Sequence, residues 1–191
     1  MKKIILAFTC IFILLSIIPL ELKCKELIGW LEMVKIYPGS LKIRAKMDTG
    51  AKSSSINIHN MQNFKREGEH WVKFNIKERK KKGEGKKVRM EKKIIRFVIL
   101  KRKGGGFEKR PVINMEICIG GIYKKIQMSL VDRSNFNYQI LIGRIDLKKE
   151  FIIDPSAIFT HKPNCKIPAG LKHNSKIIKK ESPKKTTSPV L

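Results

Sequence analysis

The chain has 191 residues, which suits one domain with terminal extensions rather than several domains. Hydrophobic residues make up 42% but aromatics only 7%, so a core is affordable and must rest on Ile, Leu, Val and Met. The formal net charge of +26 favours polyanionic neighbours such as acidic peptides or an anionic membrane surface. It does not make nucleic acid an expected partner, because the interleaved stacking aromatics and the recognition motifs are missing.

In chain order, Lys2 and Lys3 precede an uncharged run from Ile4 to Leu20. A positive start followed by an apolar run is the pattern of a secretory signal, and its length sits at the lower limit for crossing a bilayer. Residues 1–24 are therefore expected to be a signal peptide or an N-terminal membrane anchor. Small residues at cleavage spacing are not evident near Leu20 to Cys24, so removal and retention both stay open. Either way the domain is expected outside the cytoplasm, periplasmic or membrane-anchored. Of the four cysteines, Cys10 lies in the apolar run and no CxxC pair exists. Cys118 and Cys165 could pair in an oxidising compartment or remain small unpaired hydrophobes.

The domain is expected over residues 27–160, and its period is two rather than 3.6. Leu41, Ile43, Ala45 and Met47 alternate with Lys42, Arg44 and Lys46, which predicts a strand with one apolar face. Further strands are predicted at Trp71 to Ile76, Ile94 to Leu100, Tyr138 to Ile142 and Phe151 to Ile153. Val112 to Ile119 and Ile122 to Val131 flank Gly120-Gly121, a hairpin signal. Only Arg144 to Glu150 reads as a helix. Short strands with Gly-rich turns imply an all-β sandwich or barrel. Two charged stretches, Lys77 to Lys87 and Lys101 to Lys109, read as hairpin tips, the second carrying Gly104-Gly105-Gly106. From residue 161 to 191 the chain is basic and poor in large apolar residues, so this tail is expected to be disordered.

Only four aspartates occur, Asp48, Asp132, Asp146 and Asp154, so any chemistry using aspartate draws on this set. The stretch Met47-Asp48-Thr49-Gly50-Ala51 puts one of them where an apolar strand leaves its sheet. Thr49 adds a hydroxyl, and Gly50 lets backbone N–H groups approach the carboxylate. Alone this is a weak signal, equally that of an ordinary turn with a capping Asp. Roughly ninety residues later comes Ile140-Leu141-Ile142-Gly143-Arg144 followed by a short helical segment.

In order and separation, the Asp-Thr-Gly turn and the Ile-Gly-Arg segment resemble the two halves of a retropepsin lobe. The match extends to a bacterial retropepsin-like branch, also labelled putative ATP-dependent zinc protease. It is carried by Gly29-Trp30-Leu31-Glu32, Ala45 to Ala51 and Arg110-Pro111-Val112. Leu130 to Arg133, Leu141 to Arg144 and Phe151 to Ser156 complete it. The resemblance implies a single-lobe, retropepsin-like closed β-barrel with one short helix near the C-terminal end of the domain. It also implies an aspartic-type endopeptidase with Asp48 as the catalytic residue. Thr49 would brace a dyad across an interface, Gly50 and Ala51 would shape the turn, and Gly143 would permit close packing under Asp48. Arg144 would be structural, in a network with an acid such as Asp132 or Asp154 and with Arg133. No cofactor is expected: His59, His70, His161 and His173 are scattered, and neither a His-Glu-x-x-His zinc motif nor a phosphate-binding loop for ATP is present.

An aspartic peptidase needs two facing carboxylates that share a proton and one water. This chain offers a single Asp-Thr-Gly, and Asp132, Asp146 and Asp154 lack the residues that follow it. The resemblance therefore implies a homodimer in which two copies of Asp48 meet on a two-fold axis, acting on a peptide or protein substrate. The alternative is a non-catalytic peptide-binding or envelope scaffolding module on the same fold. Either Gly104–Gly106 or Gly83–Gly85 could serve as a flap over the substrate.

Overall fold

The computed structural model describes residues 24–79, 85–101, 104–131 and 137–168. The expected signal or anchor, apart from Cys24, and most of the expected basic tail lie outside the described residues.

The strands are β1 (Glu26–Tyr37), β2 (Leu41–Asp48), β3 (Ser54–Asn57), β4 (His59–Arg66), β5 (Glu69–Lys77) and β6 (Lys87–Lys93). They continue as β7 (Arg96–Lys101), β8 (Phe107–Ile119), β9 (Ile122–Val131), β10 (Ile140–Gly143) and β11 (Phe151–Ile158). One short helix, α1 (Arg144–Leu147), follows β10. The main sheet runs β11-β1-β2-β10-β3-β9-β8-β7, and a further β1–β8 pairing closes six of these strands into a mixed barrel. β10 lies parallel to β2, β3 parallel to β9, and β11 parallel to β1. β4, β5 and β6 form a separate three-stranded sheet. The expected closed β-barrel with one short helix is what the described residues adopt.

Alternation sets the faces. In β2 Leu41, Ile43, Ala45 and Met47 are buried while Lys42 and Arg44 stay in water. In β5 Val72, Phe74 and Ile76 are fully buried, and with Val88 and Met90 of β6 they join the same aliphatic core as the barrel. Burial of each such side chain stabilises by about 1.5–3 kcal/mol. The hairpin at Gly120-Gly121 joins β8 to β9 in continuous register, and Gly120 takes a positive φ of 55° there. The apolar run Ile94 to Leu100 is not one strand. Ile94 N–H bonds to His70 O in the small sheet and Ile95 N–H to Val112 O in the barrel, so this dipeptide is the seam between sheets. β7 starts only at Arg96. The helix is shorter than expected and stops at Leu147, with Glu150 N–H bonding back to Leu147 O.

The Gly29-Trp30-Leu31-Glu32 segment has a structural task. Glu32 is 1% exposed, and its Oε1 accepts hydrogen bonds from Gly29 N–H (2.8 Å), Thr160 N–H (2.9 Å) and the Thr160 hydroxyl (2.6 Å). It thus ties the end of β11 to β1 across the bulge between Gly29 and Leu31. Glu32→Ala should orphan these donors and cost about 1–3 kcal/mol, read as a lower urea midpoint with an unchanged slope. Just beyond, Asn164 N–H bonds to Gly120 O, and Cys165 is disulfide-bonded to Cys118 with their Cα atoms 5.9 Å apart. The start of the expected tail is therefore fastened to the β8–β9 turn. Cys24 is free and exposed.

Candidate active site at the Asp48 turn

The buried face of β2 runs to Met47 and the strand ends at Asp48, where the chain turns through Thr49 and Gly50. Ala51 N–H closes the turn on Asp48 O at 3.1 Å. Because β10 is parallel to β2, Gly143 is the register partner of Asp48, as Ile142 is of Met47. The two segments singled out in the sequence therefore lie side by side. The Asp48 side chain is 21% exposed, with Lys46 Nζ 3.9 Å from its Oδ1. Thr49 and Gly50 face solvent, and Ala51 is half-buried.

Gly143 is required by what lies against it. A Cβ built there would stand 2.5 Å from the carbonyl carbon of Ser53 and 2.7 Å from both its N and O. Only glycine lets β10 seat this close to the strand that leaves the Asp48 turn. Arg144 then reaches back: its Nη1 donates to Thr49 O and Gly50 O, each at 2.8 Å. Its own N–H bonds to Ala51 O, and Ile145 N–H to Lys52 O. Arg144 thus holds the turn through main-chain carbonyls. Asp154 lies elsewhere and accepts from Ser156 N–H and its hydroxyl at 2.8 and 2.6 Å, which holds its carboxyl below the usual aspartate value. Asp132 and Arg133 lie outside the described residues.

Sequence reasoning passed over two residues beneath the turn. Ser54 is fully buried; its Oγ accepts from Gly143 N–H (3.0 Å) and donates to Asp146 Oδ2 (2.5 Å). Burial pushes the Asp146 carboxyl above its ordinary value, against the lowering effects of the Ser54 bond and of Lys124. No Thr-Gly follows Asp146, so its sequence context does not mark it as a candidate. The usable signal was a serine-rich run after Asp48 and an acid two residues after Arg144. A cleft beside the turn is lined by Ser53, Ile145, Asp146, Lys125, Gln127 and Arg96, the last at the root of the β7–β8 hairpin. No grouping of His, Cys, Asp and Glu suited to a metal occurs among the described residues.

Residues 27–164 match the model of the RimB-like family, described as retropepsin-like aspartic endopeptidase RimB. The chain belongs to this family. The fold also recurs in a Legionella pneumophila protein of unknown function, with a TM-score of 0.59 and 28% identity; the match covers 71% of this chain and 98% of that one. Among curated proteins, a "Probable alpha-L-glutamate ligase" of Shewanella halifaxensis is 36% identical over 61% of this chain and 25% of its own length. One of the same name from Desulfotalea psychrophila is 32% identical over 69% of this chain and 28% of its own. The chain thus spans only about a quarter of the length of these curated relatives.

Proposed function

We propose that the protein is an aspartic-type endopeptidase whose active centre forms when two copies bring their Asp48 side chains together. One observation carries this reading. The only Asp-Thr-Gly of the chain sits partly exposed at a strand end, paired in register with Gly143 and clamped by Arg144. In the assembled dyad one carboxylate would act as general base on the water and the other would donate to the scissile carbonyl. The apparent pKa values of such a pair belong to the dyad as a whole. Thr49 is exposed where a two-fold mate would dock, which suits a bracing hydroxyl. The β7–β8 hairpin suits a flap: its Gly104–Gly106 tip is open, and Ile99 and Phe107 are bare at 67% and 72% exposure.

Two features support export: the Lys2-Lys3 start with its apolar run, and the Cys118–Cys165 bond, of a kind that persists in oxidising compartments. Acidic peptides are the substrate class best supported. Lys46, Lys52, Arg144, Arg96 and Lys125 surround the turn and its cleft, and relatives sharing this segment are named glutamate ligases.

The observation favouring the non-catalytic alternative is Lys46, whose ammonium stands 3.9 Å from Asp48 Oδ1, a cation beside the carboxylate that the dyad would share. Sedimentation equilibrium of the chain bears on the dimer directly. A monomer–dimer equilibrium is expected, and a strictly monomeric species at high concentration removes the shared-dyad mechanism.

A further inference from the structure

We propose that Asp146 is a positioning residue for the Asp48 turn: through the Ser54 hydroxyl, its carboxyl group sets the place of the Gly143 amide and so of the strand end paired with Asp48. The effect on rate rests on the peptidase reading; the relay itself does not. Three contacts make it continuous. Asp146 Oδ2 accepts a hydrogen bond from the Ser54 hydroxyl at 2.5 Å, Ser54 Oγ accepts one from Gly143 N–H at 3.0 Å, and Gly143 faces Asp48 in the parallel ladder. Ser54 is fully buried, and Lys124 fixes the helix from outside by donating to Asp146 O at 2.5 Å and pairing with Glu150.

A hydroxyl has one proton, so the direction of this chain depends on the carboxyl group. With Asp146 ionised, Ser54 donates outward and its lone pairs are open to Gly143. A proton on Oδ2 opposes two donors along one short line and turns the Ser54 bond round. A proton on Oδ1 leaves the bond in place but removes the charge that makes it strong. Either way the hold on Gly143 weakens.

Among the described residues, few charged groups face Asp146. Lys124 comes from β9 and Glu150 from beyond α1, while Lys125 of β9 and Arg96 of β7 line the same cleft. β3 and β10 carry no ionisable side chain, and Arg144 on the helix itself is turned to Thr49 and Gly50. Burial is the largest influence and favours the proton, so Asp146 holds it to higher pH than the ordinary aspartate value of 3.8. The sign follows. The protonated form is favoured by folding, and its stabilising contribution is complete below the ordinary value and lost as pH rises through the raised one. The ionised form that best seats Gly143 prevails above the raised value.

The test is a pH titration of the full chain by amide and side-chain carboxyl NMR. Expected is a Gly143 amide resonance that moves with the Asp146 carboxyl, with a shared midpoint above 3.8. Asp146→Asn should abolish that movement. Ser54→Ala should leave the carboxyl titrating while the amide stands still, and Ser54→Thr, which keeps the hydroxyl, should restore coupling if the alanine variant does not fold. A Gly143 amide that ignores the Asp146 titration, or follows the same curve in Asp146→Asn, overturns the relay. If the wild-type chain cuts peptides, its acid limb should move to lower pH in Asp146→Asn. A chain that cuts nothing yet shows the coupled titration keeps the relay and loses the peptidase reading.

Discussion

Asp48→Asn should abolish peptide hydrolysis while leaving the barrel intact. On the proposed dyad, replacing both copies of the shared carboxylate removes general base and general acid together, and each such role is worth about 10²–10⁴ in rate. The fold has little at stake in this side chain. It is 21% exposed, and its ion-pair partner Lys46 is 40% exposed at 3.9 Å, so stability should change by no more than about 1 kcal/mol. A diverse peptide mixture incubated with either form at several pH values, read by mass spectrometry, separates the outcomes. Cleavage lost in the variant with peptide binding retained supports the enzyme. Equal cleavage by both forms removes Asp48 from the chemistry, and binding without turnover in the wild type favours the scaffolding alternative.

Gly143→Ala should cost both stability and activity. The new methyl group would meet three backbone atoms of Ser53 at 2.5–2.7 Å, and backbone cannot swing aside as a side-chain tip can. Overpacking of this kind costs about 1–3 kcal/mol, and here the upper end is expected. Relief can come only by parting β10 from the chain that leaves the Asp48 turn, which also breaks the Ser54 and Arg144 contacts. Gly104→Ala is the matched control: nothing lies within 4 Å of a Cβ at that position, so its melting curve should overlay the wild type. A Gly143→Ala chain of unchanged stability would mean that the close approach is not real.

Much of the barrel was legible because its strands have one wet face. The alternation of Leu41 to Met47 maps directly onto burial in β2. The pairing of Asp48 with Gly143 was legible as a resemblance, since no local pattern says which distant strand will lie beside β2. β4 escaped notice because its residues, His59–Arg66, are almost all exposed and carry no apolar period. Ser54 escaped for the opposite reason. All four residues of β3 are buried, so its two faces cannot be told apart by polarity, and a polar residue there reads as loop. The partners of Arg144 were hidden because charge bookkeeping seeks an acid, whereas the guanidinium found two carbonyl oxygens. The disulfide joins cysteines 47 residues apart, a separation that favours no pairing in itself.

β10 slots between β2 and β3, the very strands that flank the Asp48 turn. During synthesis this slot stays open until residue 143 has left the ribosome, because β10 is made some ninety residues after β2. Until then β2 and β3 present raw edges to each other and to neighbouring chains, a hazard for stray pairing. The slow, long-range closure is also a safeguard. A truncated product ending before Ile140 lacks the strand that shapes the turn, so on the proposed peptidase reading it should emerge inert.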